Sequence, residues 1–219
     1  DAHDLQLVDL GTKQADGKIV IDDNANQRFR AVMSELGLAM VNWTQGPPET
    51  TGYSGFNFAF EFPLTLINQN GQVGGQNYWT MQGSTPSSLM MPGIHVRKGL
   101  PFSFEAGSRV NYITQSNMVA ATVEAKWSLN EGFIYFPDLS VRGFGTQLIG
   151  ARDFNLTAAG VEASIGHQFA ILGMFTLTPY AGGSFVWVAA SSNVIDFKPG
   201  LSEPDQFKDG ASGTSTMPA

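Results

Sequence analysis

Between Phe56 and Leu66 every second residue is large and apolar. Phe56, Phe58, Phe60, Phe62, Leu64 and Leu66 alternate with Asn57, Ala59, Glu61, Pro63 and Thr65. A period of two puts alternate side chains on opposite faces of an extended strand, whereas a helix would scatter them around its axis. The face carrying the four phenylalanines must be covered, and either a protein core or lipid would serve. The alternation recurs down the chain. Ile94 and Val96 alternate with His95 and Arg97; Phe104, Ala106 and Val110 with Glu105, Gly107 and Arg109; Val123, Ala125 and Trp127 with Glu124, Lys126 and Ser128. Leu139 and Val141 alternate with Ser140 and Arg142; Val161 and Ile165 with Glu162 and Gly166; Phe185 and Trp187 follow Gly182 and Ser184. The pattern predicts seven strands, at 53–66, 89–97, 102–113, 118–129, 138–149, 156–169 and 174–189. The expected fold class is all-β, an antiparallel up-and-down sheet.

Composition narrows the environment. Only 14% of the 219 residues are charged, against about 25% in an ordinary soluble domain, which argues against disorder and against a charged coiled coil. The formal net charge of −7 excludes a general electrostatic affinity for nucleic acid. With no cysteine, disulfides, thiolate zinc sites, Fe–S clusters and cysteine nucleophiles are excluded together. No apolar run approaches the roughly 20 residues of a spanning helix, but a membrane β-barrel needs none. Most predicted strands exceed the roughly 5–6 residues usual in globular proteins and reach the roughly 9–11 that cross a bilayer at a tilt. Tyr53, Phe102, Tyr112, Trp127, Phe133, Tyr135, Phe136, Phe169, Phe175 and Trp187 fall near strand ends, where the aromatic girdles of a barrel belong. A transmembrane barrel is therefore expected over a sandwich.

Connections assign the two ends. Residues 98–101, 130–137 and 170–173 are short turns and would face the periplasm. Residues 67–88, 114–117, 150–155 and 190–219 would face outward, since such barrels have short periplasmic turns and longer external loops. Residues 1–52 form an N-terminal periplasmic segment with a helix over 24–40: Phe29, Val32, Met33, Leu36 and Met40 share one helical face, Arg28, Arg30, Ser34 and Glu35 lie mostly off it, and Asp22, Asp23 or Asn24 can cap its start. A strand over 30–42 competes with this helix, but it would reverse the side of every later loop. Residues 53–189 carry the strands and 190–219 a long external loop. Seven is an odd number, and bacterial single-chain barrels close with even numbers from eight upward, so at least one further C-terminal strand is expected beyond this sequence, or a second chain to close the barrel.

The segments Gly55-Phe56-Asn57-Phe58-Ala59-Phe60-Glu61, Lys98-Gly99-Leu100-Pro101-Phe102, Pro137-Asp138-Leu139-Ser140-Val141-Arg142-Gly143 and Thr178-Pro179-Tyr180-Ala181-Gly182 resemble those of bacterial outer-membrane β-barrel proteins. The likeness covers about 53–189, and such pieces look like those of Gram-negative envelope barrels. The helical segment ahead of the first strand is more distantly similar to the long-chain fatty-acid transporter family. The resemblance implies outer-membrane localisation and passage of small or apolar solutes. It brings no ligand motif.

Alternation also selects the candidate site. Glu61, His95, Arg97, Glu105, Arg109, Glu124, Lys126, Arg142 and Glu162 all lie opposite an apolar face. An Arg or Lys facing lipid at midplane costs about 2–4 kcal/mol, so these nine are expected to line a lumen. There they would either fill a narrow barrel with salt bridges or set the selectivity of a pore. His3, His95 and His167 are scattered and make no metal site, and the acidic 190–219 loop, with Asp196, Glu203, Asp205 and Asp209, lacks an EF-hand pattern. Neither Gly-x-Ser-x-Gly, a Walker loop nor a dinucleotide fingerprint occurs, and nothing in the spacing of Arg152 and Asp153 singles them out. The chain is read as a non-enzyme without cofactors. Its partners are outer-membrane lipid and, through the external loops, other envelope proteins or itself. The alternatives are a structural or anchoring barrel with a plugged lumen, and a soluble β-rich domain.

Overall fold

A computed structural model describes residues 7–10, 12–13, 19–20, 23–41, 46–79, 87–114, 116–133, 136–151, 154–171 and 175–192. The described residues form antiparallel β-structure with one α-helix. Seven strands form the main sheet: β1 (Phe56–Glu61), β2 (Gly93–Leu100), β3 (Phe104–Tyr112), β4 (Val119–Asn130), β5 (Asp138–Ile149), β6 (Phe154–Gly166) and β7 (Tyr180–Ser192). Each pairs with its sequence neighbour, so the order is a simple meander with β1 and β7 at opposite edges. No sheet among the described residues closes on itself.

The strand boundaries differ from expectation where prolines intervene. Residues 53–66 do not run unbroken. The ladder stops after Glu61 and resumes at Leu64–Leu66, which pairs with Ser88–Met90 in unchanged register. The break faces Pro63 and Pro92, neither of which has an N–H to give the ladder. Their carbonyls instead accept from Met91 N and Tyr112 N. Likewise 174–189 is interrupted near Pro179: Phe169–Ile171 pairs with Phe175–Leu177 in the register of β6 and β7, so the described parts of 154–171 and 175–192 keep one register across an irregular waist. The turn after β2 is also displaced. The strand continues to Leu100, paired with Phe104, and Phe102 and Ser103 turn the chain at φ 62° and 58°.

Two ends of the sheet can be distinguished. The near end carries 101–103, 131–133 and 136–137 and the paired segments 169–171 and 175–177. The far end carries 67–79, 113–114, 116–118 and 150–151. One face is covered and the other is open, with burial alternating residue by residue; along β6 every second side chain, from Phe154 to Gly166, is buried and those between are exposed.

Helix α1 (Asp23–Met40) matches the expected span, and Phe29, Val32, Met33, Leu36 and Met40 are its buried face. Its location corrects the expected one. A helix beyond the near end was expected; instead α1 packs on the covered face, against β6 and β7, within a far-end cluster that includes Leu89, Met91, Ile113, Leu148, Phe154 and Leu156. These apolar side chains are what its stripe can bury against. Gly37 permits the approach, because a Cβ there would stand 2.5 Å from Val188 Cγ1. Arg28, expected off the apolar face, is buried, its guanidinium donating to the Leu10 carbonyl. Glu35 ties the helix to the far-end connection: it accepts from Asn68 N at 2.6 Å and from Tyr78 Oη and Trp79 Nε1, each at 2.9 Å. Burial and then the Glu35 carboxylate push the Tyr78 hydroxyl pKa up.

Candidate functional site

Below the helix, the covered face turns from apolar to charged. All nine residues selected by alternation line one cavity of about 290 Å³ there. Register explains how. Glu105, Lys126, Arg142 and Glu162 stand in one cross-strand row on β3, β4, β5 and β6. The two neighbouring cations are thus flanked by a carboxylate on each side. Lys126 Nζ lies 3.3 Å from Glu105 Oε1, and Arg142 Nη2 donates to Glu162 Oε2 at 2.7 Å. One pleat toward the far end, Glu124 accepts from Arg142 Nη1 at 2.7 Å and meets His95 Nε2 at 2.8 Å. His95 Nδ1 is 2.8 Å from Glu61 Oε1, and Arg109 Nε is 2.8 Å from Glu61 Oε2. Each ring nitrogen of His95 thus faces a carboxylate, and Arg109 Nη2 lies 3.0 Å from His95 Nδ1 as well. Gly107 makes the room for this junction: a Cβ there would meet Glu124 Oε1 at 2.8 Å.

Buried charges in such a number persist only when each is paired and hydrogen-bonded. Most of these are. Among the described residues Arg109 is the largest fully buried side chain, and Glu105, Glu162 and His95 are nearly as enclosed. Arg97 differs. Its side chain is 24% exposed, and its contacts to Glu105 Oε1 and Asn57 Oδ1 are both 3.4 Å. Hydroxyl pairs complete the same face, Thr122 with Thr146 at 2.8 Å and Ser140 with Ser164 at 2.7 Å.

A strap formed by residues 46–52 crosses this face and enters β1 at the near end. The Pro48 carbonyl accepts from Ser128 Oγ, and that of Glu49 from Lys126 Nζ at 2.7 Å. Thr50 N donates to Glu131 Oε2 at 2.8 Å, and Thr51 N to Glu105 Oε2 at 2.9 Å. Burial alone would raise the Glu131 carboxyl pKa. Donation from the Thr50 N–H, the Ser103 hydroxyl, the Thr50 hydroxyl and the Ser128 hydroxyl more than reverses this and holds it below the usual 4.5. Glu49 is pushed up, by burial and then by its neighbour Asp138.

Sequence reasoning found the charged residues but not the strap. Thr122, Ser128, Ser140, Thr146 and Ser164 share the parity of Glu124 or Arg142 and were legible as the same face. The partnership of Thr50 with Glu131 has no local signal. His167 stacks edge-on against Phe169, 4.7 Å between ring centres, away from the network. His3, Arg152, Asp153, Tyr135, Asp196, Glu203, Asp205 and Asp209 lie outside the described residues. Among the described residues no helix is long and apolar enough to cross a membrane, and no group of three or more metal-ligating side chains is present.

Comparison with protein-family models, with curated proteins and with solved structures finds no match to this chain.

Proposed function

We propose that this chain builds the wall of a transmembrane β-barrel in the outer membrane of a Gram-negative bacterium, and that its charged interior is a passage for small solutes, occluded in this state by the chain's own N-terminal segment. One observation carries the proposal: the sheet is inside-out. Phe58, Phe60, Phe62, Leu64, Val123, Val161, Phe185 and Trp187 are exposed on the open face, while the charges are buried on the other. Monomers in water seldom expose a contiguous apolar patch beyond a few hundred Å². Lipid covers such a face without cost. The aromatics expected at the girdles support the same assignment: Tyr53, Phe102, Tyr112, Trp127, Phe133, Phe136, Phe169, Phe175 and Trp187 are all exposed. In lipid, the free edges of β1 and β7 need partner strands, from elsewhere in the protein or from a second chain.

The second reading is a structural or anchoring barrel whose lumen stays plugged and whose loops at the far end hold envelope partners. The dense pairing of carboxylates with cations and the helix seated on the covered face favour it. One experiment separates the readings. The full chain is refolded in detergent, run boiled and unboiled on a gel, and inserted into a planar bilayer beside Gly37→Val. A mobility shift on boiling, with conductance that becomes more frequent in the variant, is expected for an occluded passage. Verified insertion without conductance in either protein transfers the assignment to the structural barrel. Solubility without detergent and unchanged mobility on boiling would remove the membrane assignment.

A further inference from the structure

We propose that the cavity of about 290 Å³ on the covered face is a binding site for a small organic monocarboxylate, held by the Arg97 guanidinium beside the Lys126 ammonium. The proposal rests on this face being the interior of the passage, and names the solute class that it recognises.

The pairing is loosest at one corner. Glu61, Glu124 and Glu162 each hold a cation or His95 at 2.7–2.8 Å. Arg97 and Lys126, by contrast, share a single carboxylate, Glu105, at 3.4 and 3.3 Å from the same oxygen. The other Glu105 oxygen is taken by Thr51 N. That corner therefore holds two cations on one carboxylate oxygen, with Lys126 donating also to the neutral Glu49 carbonyl at 2.7 Å. The remaining contact of Arg97 is a long one, to the neutral Asn57 at 3.4 Å, and its side chain is the most exposed of the nine ion-paired residues that line the cavity. A second carboxylate would supply a second negative charge and closer acceptors for Arg97, whose present contacts are both 3.4 Å. A planar carboxylate also fits the guanidinium fork with two parallel hydrogen bonds, which a point anion such as chloride cannot.

The cavity limits the rest of the ligand. Its volume is at the lower end of small-molecule sites, which fits a short acid rather than a long chain. Gly46, Pro47 and Ala59 supply an apolar wall, and Arg97 Nη1 lies 3.8 Å from where a Cβ on Gly46 would stand. Glu61 and Glu162 on the remaining wall repel a second negative charge, so a monocarboxylate is preferred to a dicarboxylate.

The test uses the refolded full chain in detergent micelles with carboxyl-labelled propionate as the probe, read by NMR titration. Propionamide, its neutral isostere, is the control. Saturable propionate binding is expected, with propionamide at least about tenfold weaker because it cannot pair its charge with Arg97. Arg97→Gln should lose about tenfold or more, and Arg97→Lys, which keeps charge but not the fork, should fall between. Equal binding of acid and amide, or equal affinity of wild type and both variants, overturns the proposal. So does full displacement of propionate by inorganic phosphate at equal concentration, which would make the corner a general anion site. Heat-modifiable migration is read on the same samples. Binding without the gel shift would leave the site and remove the barrel; the shift without binding would do the reverse.

Discussion

Glu124 is the junction of the charged face, meeting His95, Arg142 and, at 4.0 Å, Arg109. Removing one partner of a buried pair leaves an uncompensated charge and costs about 3–5 kcal/mol, whereas the intact pair adds little over an apolar substitute. Glu124→Leu is therefore expected to destabilise the refolded protein by about 3–5 kcal/mol in urea unfolding from micelles, with Glu124→Gln milder because the amide still accepts from Arg142. A loss under about 1 kcal/mol would show that the interior is wet and the charges individually solvated. Glu131 sits at the near end, where the strap meets the sheet, and its contribution depends on pH. Its carboxyl pKa is lower when the strap is docked than the usual 4.5, so docking is stabilised above about pH 4.5 and loses that stabilisation as pH falls through the lower, docked value. Protease cleavage within 46–52 should rise as pH drops through this range, and Glu131→Gln should remove the dependence. At this scale parity made the nine charged side chains legible, because period two needs only neighbours in sequence. Arg28, Thr50 and Glu131 were illegible because their partners lie far along the chain.

Elements were legible in kind and less so in extent. Helix α1 declared itself by its apolar stripe and acidic start, and the seven strands by alternation. What single-sequence periodicity lacks is a term for where an element docks. The stripe of α1 fits any apolar surface, and the far-end surface on the covered face exists only once β5, β6 and β7 have paired. Gly37 is the residual sign of that docking. Glycine inside a helix costs roughly 1 kcal/mol relative to alanine, and the close approach of Val188 is what it provides in return. Gly37→Val should drive the helix off β7 while leaving the strand ladders intact. Limited proteolysis would then cut within 23–41, and the β-signature in circular dichroism would persist. Concerted loss of both signals would mean instead that the helix is an integral part of the sheet's core. The prolines at 63, 92 and 179 mark the strand breaks, and each was readable as a missing N–H.

The whole molecule combines two polarity senses in one sheet. Toward the far end of β6, Phe154 and Leu156 point into the core under α1, and Asn155 and Thr157 point outward, as in a water-soluble protein. Toward the near end the sense inverts: Glu162 and Ser164 are buried, while Val161 and Ile165 are exposed. The exposed apolar band also crosses the strands obliquely. On the first hairpin it reaches the far-end residues Leu64 and Leu66; on the last it runs through Phe185 to the near-end residues Phe175 and Leu177. A band level with a bilayer crosses strands in this way when they are tilted by about 35–45°, the usual tilt of transmembrane barrels. Water gives no reason for such a band, and that difference can be measured. Val161 lies within it, and Asn155, on the outward face of the same strand and paired with Ser191, lies toward the far end where that face has turned polar. In lipid, Val161→Arg should cost about 2–4 kcal/mol and Asn155→Arg about 0–1, read by urea unfolding from vesicles. In a water-exposed sheet both substitutions fall on exposed positions and both should stay within about 0.5 kcal/mol. Equal, small costs would place the open face in water and require a protein partner to cover it; a difference of about 2 kcal/mol or more would locate the hydrocarbon slab across the strands.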